Sequence, residues 1–274
     1  MLKKKVAIIC VNYNSYSELN KYIASIDEAI NYCVDIDVEV FVGDNSTDKS
    51  YIYRVDNAVQ LPVNIFPYHE NLGYIGAVTR VIKDIGYPSV KGYDYVIISN
   101  VDLTLTKSFF KDLSGLNESP DTGWIAPKIF SLSENRDRNP KILIRPSLKR
   151  INLLIQMYRF PLLYNLYNKY IYKHRNKSIS NHSSNYIYAG HGSFMIFTKK
   201  FMGVNVNFEF PSFLFGEEIF FAEIVRSSNL KVLYAPNIIV NDSDHISTSK
   251  LKRKIYCKMN YESLKKLKNL FFNE

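Results

Sequence analysis

Cysteine is scarce and scattered. Cys10, Cys33 and Cys257 form an odd set with no paired spacing, which argues against a disulfide framework and a zinc cluster and suits a reducing cytoplasm. Long apolar runs are missing as well. No stretch approaches the roughly 20 residues needed to span a bilayer, so any membrane contact is expected to be peripheral. The opening MLKKKVAIICVNYN sets basic residues before an apolar run, as a secretion signal does, but the run breaks at Asn12 and Asn14 and reads as a buried strand. Internal repeats and low-complexity tracts are absent. Acidic residues are in deficit, 26 Asp and Glu against 35 Lys and Arg, leaving a net charge of +9. Such a field attracts phosphates, nucleic acid or an anionic membrane surface. No RNA-binding signature accompanies it, and a nucleic-acid partner is not expected.

What is present is a globular composition. The 274 residues are 46% hydrophobic and 22% charged, with 21 Tyr and 17 Phe, enough for one large α/β domain with a sizeable core. The runs VAIICVNY, VEVFVGD, VNIFPY and YDYVIIS mostly lack the alternation of a strand with one wet face. They read as strands covered on both sides by helices, hence a largely parallel sheet. Between them, Leu19, Tyr22, Ile23, Ile26 and Ile30 recur at helical spacing, with Ser15 or Ser17 to cap. DNSTDKS supplies capping side chains for a further short helix, and NLGYIGAVTRVIKDIG opens on glycine and continues as another. Strand and helix thus alternate in the order of a Rossmann-like half.

From Ser131 to Ser184 the character changes. Lys and Arg interleave with Leu, Ile and Tyr, and Pro146 and Pro161 divide the segment into helical pieces. It reads equally as a basic helical subdomain packed on the sheet and as an interfacial segment with basic residues at lipid phosphates. The regular pattern returns at GHGSFMIF, with Glu217 and Glu218 at the start of a helix and KVLYAP as a further buried strand. The tail from 249 to 274 is a basic amphipathic helix. The expected division is therefore a nucleotide-binding half at 1–130, an insertion at 131–184, a second half of the same domain at 185–248, and the tail.

In an open α/β sheet, ligands bind outside the carboxyl ends of the strands. VNYNS, GDNSTD, HENLGYIGA and SNVDLTL all fall there. Asp44, an acceptor-only carboxylate at a strand end, suits the imide N–H of uracil or thymine, although an Asp here equally caps a helix. Val11, Asn12 and Asn14 would line the same pocket. In ENLGYIGA, Asn71 and Gly73 permit close backbone approach at a helix amino end, where a diphosphate is readily held.

The ordered set VAIICVNYNS, GDNSTD, ENLGYIGA, NVD, GHGSFMIF, FGEE and YAPNIIVNDSDHIST, spread from residue 6 to about residue 248, resembles the family-2 glycosyltransferases of the GT-A fold. The likeness is strongest to the branch of bacterial surface-polysaccharide and rhamnosyltransferase-like enzymes. The resemblance implies an inverting transfer of sugar from a UDP- or dTDP-sugar to a hydroxyl of a lipid-linked oligosaccharide, at the inner face of the plasma membrane, in capsule, O-antigen or cell-wall synthesis. It implies a divalent Mg²⁺ or Mn²⁺ at Asp102, beside Asn100, where the family usually carries a second acid. In the family a His after the last sheet strand completes the shell; here Asp242 stands nearest that place and His245 three residues later. Glu218 falls where the family has its catalytic base, with Glu217 as the second choice, and His191 and Gly192 would floor the donor-sugar site.

Two other readings compete. A sugar nucleotidyltransferase shares such a sheet, but its Gly-rich, Arg-containing loop is absent from VNYNSYSEL. A non-catalytic scaffold of the same fold would leave Asp102 and the paired glutamates without a role.

Overall fold

The computed structural model describes residues 3–50, 53–162, 164, 185–204, 208–243 and 252–272. Its strands are β1 (Lys4–Asn12), β2 (Ile36–Asp44), β3 (Val63–Pro67), β4 (Tyr95–Asn100), β5 (Leu103–Leu105), β6 (Thr122–Ser131), β7 (Arg136–Asp137), β8 (Tyr186–Ile187), β9 (Phe194–Thr198) and β10 (Lys231–Asp242). Its helices, numbered over the described residues, are α1 (Tyr16–Ile30), α2 (Tyr74–Ile85), α3 (Tyr87–Val90), α4 (Phe109–Ser114), α5 (Leu148–Arg159), α6 (Lys199–Gly203), α7 (Glu217–Ser227) and α8 (Arg253–Phe271).

The strands join in one sheet of order β3-β2-β1-β4-β9-β6-β10-β5, with β7 beside β6 and β8 beside β10. β3, β2, β1 and β4 are mutually parallel, as are β6 and β10. β9 runs antiparallel between β4 and β6, and β5 and β8 run antiparallel to β10. The long pairings are parallel, as the unalternating apolar runs require. Alternate residues of β1 enter opposite cores: Val6, Ile8 and Cys10 pack with α1, and Ala7 and Ile9 pack with α2. All three cysteines are free thiols, and burial pushes that of Cys10 up to about 12.

Two local expectations change. No helix forms in the described part of the β2–β3 connection; Ser46 turns back onto Asp44, and Asp48 takes the amide and hydroxyl of Ser50. These residues cap turns instead of a helix, as short oxygen-bearing side chains do when no apolar stripe follows. At α1, Ser15 occupies the N-cap position, but its hydroxyl turns to the Tyr13 carbonyl.

Of the central insertion, the described part contains β7, a bridge from Ile142 to Ala189, and α5, which Pro146 precedes and Ser147 caps by accepting the Arg150 amide. α5 packs against α8. The remainder, 163 and 165–184, lies outside the described residues.

Candidate functional site

Strand register sets the site. Asn12 at the end of β1 stands opposite Asp44 at the end of β2, and Val11 stands opposite Asn100 at the end of β4. The loop ends singled out in the sequence therefore share one edge of the sheet.

Asp44 is the centre of the first cluster. It is buried, and its Oδ1 accepts from Asn12 Nδ2 (3.0 Å), the Ser46 amide (3.1 Å) and Ser46 Oγ (2.6 Å). Its Oδ2 accepts from Tyr16 Oη (2.9 Å). Three donors saturate one carboxylate oxygen and a single donor engages the other, which leaves acceptor capacity on Oδ2. Asn14, with φ 52, is exposed and gives its amide to Ser46 Oγ (2.9 Å). Tyr16, Asn45 and Ser46 were not singled out from the sequence. Asn45 is fully buried and donates Nδ2 to the Gly73 carbonyl (3.0 Å), while its Oδ1 has no partner among the described residues. The only signal for it was its position inside GDNSTD.

Asn71 Oδ1 accepts the Gly73 amide (3.1 Å), and Gly73, at φ 75 and ψ 175, is the residue before α2. A Cβ on Gly73 would overlap the Phe213 carbonyl oxygen. Glycine is thus required twice, by its φ and by the close approach of the segment that leads to α7.

The second cluster joins β4, β9 and α7. The Tyr74 hydroxyl donates to the Gly192 carbonyl (3.0 Å). Burial, then the charge of Glu217, with Asp102 among further contributors, pushes the Tyr74 phenol well up, so the hydroxyl stays a donor. A Cβ on Gly192 would lie 2.7 Å from Glu217 Cγ; the glycine makes room for this glutamate. Glu217 and Glu218 form the first turn of α7. Burial and the neighbouring Glu218 charge push the Glu217 carboxyl up to about 8. Glu218 Oε1 stands 3.8 Å from Lys141 Nζ. His191 gives its amide to Asn139 Oδ1 (2.7 Å), and its Nδ1 accepts the Ser193 amide (3.2 Å), which assigns the ring proton to Nε2. Burial and the charges of Lys141, Arg138 and Arg136 hold the imidazole well below its usual value, hence neutral. Arg138, Asn139 and Lys141 come from the start of the insertion, which the sequence marked as a candidate for acceptor or membrane contact without singling out these residues.

Asp102 follows β4, partly buried, and its carbonyl accepts from the amide (3.3 Å) and Oγ (2.8 Å) of Ser243. Asp242 is buried and ion-paired to Arg138 (3.1 Å). His245 lies outside the described residues. Among the described residues no group of three His, Cys, Asp or Glu side chains is placed to hold a metal ion by itself. The donors at the end of β4, the Asp102 carboxylate and the Asn100 amide oxygen, are hard oxygens. Mg²⁺ and Mn²⁺ fit such a set when one or two carboxylates are supplemented by substrate phosphates.

An open, mostly parallel sheet flanked by helices, with polar loops along one edge and one antiparallel strand in its middle, is a GT-A-like glycosyltransferase fold. No family model and no curated protein matches the chain. Solved structures do. GalNAc-T7, determined with UDP, GalNAc and Mn²⁺, superposes with a TM-score of 0.61 at 11% identity over 100% of this chain and 49% of that one. S. aureus TarS superposes with a TM-score of 0.51 at 12% identity over 87% of this chain and 36% of that one. Both are glycosyltransferases. The chain spans about half or less of the length of these two proteins.

Proposed function

We propose that the protein is an inverting glycosyltransferase that moves a sugar from a UDP- or dTDP-sugar to a hydroxyl of a lipid-linked oligosaccharide, as in bacterial surface-polysaccharide synthesis. The observation that carries this reading is the convergence of a buried carboxylate with spare acceptor capacity at the end of β2 (Asp44), a carboxylate after β4 (Asp102) and a glutamate pair at the start of α7, of which Glu217 lies against Gly192 and, with Asp102, acts on Tyr74.

In this reading Asp44 Oδ2 takes the imide N–H of the base, between Val11, Asn12 and Asn14. Asn71 and Gly73 bring the start of α2 against the diphosphate, where amides and helix dipole favour negative charge. Asp102 and Asn100 would hold a divalent ion, with Asp242 or His245 as the remaining candidates. The ion would neutralise charge on the leaving diphosphate. Gly192 and the neutral His191 floor the sugar site, with Nε2–H as a donor.

Two adjacent carboxyls with different surroundings take different roles. Glu217, kept protonated by its enclosure, donates a hydrogen bond to the bound sugar or acceptor. Glu218 accepts the proton of the attacking hydroxyl as its oxygen reaches the anomeric carbon opposite the departing diphosphate. Lys141 holds Glu218 in place.

Membrane contact is part of the proposal. Among the described residues no helix is long and apolar enough to cross a bilayer. α5 and α8 carry exposed Leu153, Phe160, Ile255 and Leu270 among Lys149, Arg159, Lys254, Lys258 and Lys265, a composition suited to an anionic leaflet.

Calorimetric titration with UDP and with dTDP, each with and without Mn²⁺, on the wild type and Asp102→Ala, tests the reading. Metal-dependent binding of one nucleotide, lost in the variant, is expected. Binding of neither removes the transferase reading and leaves a scaffold of the same fold.

A further inference from the structure

We propose that Ser263, on the C-terminal helix α8, is a positioning residue for the paired glutamates: by holding the Phe215 carbonyl it fixes the turn from which Glu217 and Glu218 are presented. The inference rests on the reading of that pair as the acid–base centre.

The start of α7 has no side-chain cap: its N-cap is Gly216, so contacts from elsewhere must fix the turn that precedes it. Phe215 has φ 68 and Gly216 φ 89, so the chain enters α7 through two consecutive left-handed residues. For glycine this is cheap; for a bulky aromatic it is strongly disfavoured and persists only where the surroundings over-determine it.

The surroundings come from one face of α8. Ser263 is 1% exposed and donates Oγ to the Phe215 carbonyl at 2.5 Å. A Cβ on Gly216 would lie 2.6 Å from Leu267 Cδ1 and 2.7 Å from Ser263 Oγ. The Phe215 ring packs edge-on against Tyr256, with centroids 4.9 Å apart, and Lys266 Nζ donates to the Pro211 carbonyl at 2.7 Å. Positions 256, 263, 266 and 267 share a face at helical spacing. Across the segment, Thr79 Oγ1 holds the Phe208 carbonyl at 2.7 Å, and Gly73 lies against Phe213. The segment 208–216 is therefore gripped by α2 on one side and α8 on the other.

A serine at a helix-interior position among Leu264 and Leu267 is a poor choice for packing alone, and such hydroxyls usually turn back on their own helix. This one crosses to the turn. Glu217 follows directly, and its side chain has room only because Gly192 lacks a Cβ. A shift of the Phe215–Gly216 turn moves Glu217 away from Gly192, Tyr74 and Lys141, the groups that face it besides Glu218.

The test labels the glutamate carboxyls of the full chain with ¹³C and follows them by NMR against pH, with Glu217 assigned through Glu217→Gln. In the wild type Glu217 is expected to titrate above the ordinary carboxyl range. Ser263→Ala is expected to lower that midpoint by about one unit or more as water reaches the relaxed turn, and Ser263→Thr, which keeps the hydroxyl, to restore it. Ser263→Cys, with similar volume and only a weak donor, gives the same reading where the alanine variant does not fold. A wild-type midpoint retained in both Ser263→Ala and Ser263→Cys overturns the proposal. Binding of UDP with Mn²⁺ to the same proteins is the separate arm: if the wild type binds no nucleotide the transferase reading fails, while the Glu217 midpoint still decides whether Ser263 positions it.

Discussion

At the scale of single residues the carboxylates at the element ends have different surroundings, and the roles proposed for them follow from those surroundings. Asp44 is tied down by donors on both oxygens, so it is a fixed acceptor. Asp44→Asn keeps the shape but turns an acceptor-only group into one that also donates. The expected result is a loss of about 1.5–3 kcal/mol in nucleotide affinity, roughly 10- to 100-fold, by calorimetry with UDP or dTDP, whichever binds. Glu217 behaves oppositely. Its carboxyl is raised from an ordinary 4.5 to about 8. Between those values the folded protein keeps a proton that the unfolded chain has released, so its contribution is fully present below about pH 4.5 and declines as pH rises through 8. Glu217→Gln removes that decline. Its thermal stability relative to wild type is expected to improve steadily from pH 5 to pH 8.5, by on the order of 1–2 kcal/mol given the partial exposure of the group and its coupling to Glu218. A stability difference that does not change with pH counts against the assigned environment.

At the scale of elements, the connections matter more than the helices and strands they join. Gly73 is where the start of α2 meets the segment before α7. Gly73→Ala combines a left-handed φ with an overlap on the Phe213 carbonyl. Urea unfolding is expected to register a loss of more than about 2 kcal/mol, and nucleotide affinity should fall with it because the start of α2 and the segment before α7 are both displaced. The strands themselves were legible in the sequence, since β1, β4 and the second half of β2 are unalternating apolar runs that the structure buries on both faces, while the first half of β2 alternates, with Asp37 exposed and Glu39 half-buried. β9 was not legible as antiparallel: FMIFT would suit a buried strand of either direction, and only its placement between β4 and β6 decides it. The absent helix after Asp44 has a similar cause. DNSTDKS offers caps to whatever follows, and local turns took them.

At the scale of the whole molecule, part of the net charge of +9 lies on two helices. α5 and α8 pack together and expose basic and apolar residues side by side. Sedimentation with anionic phosphatidylserine vesicles is expected to carry the protein down at low salt, to weaken at several hundred millimolar salt, and to be absent with neutral vesicles, since each lysine near such a surface contributes about 1 kcal/mol. Equal binding to neutral vesicles would remove the electrostatic part of the proposal. Nucleotide binding should also be visible globally: UDP or dTDP at about 100 times its Kd, with Mn²⁺, is expected to add about 2.7 kcal/mol to stability. Asp102→Ala should lose most of that gain.

The sequence by itself determined the layered α/β class, the polar strand ends that gather along one sheet edge, and the residue types at them, because burial pattern and turn chemistry are local properties of the chain. Asp44, Asp102, Glu217 and Glu218 were all readable as carboxylates at element ends. Tertiary structure alone decided which of them share an environment. The surroundings that push the Glu217 carboxyl up include the Glu218 charge and the close approach of Gly192, the ion pair that engages Asp242 comes from Arg138, and the grip on the Phe215–Gly216 turn comes from Ser263, 48 positions away. Charge and hydrogen bonding act through space over a few ångströms, and a sequence carries no record of which distant residues the fold will bring within that range.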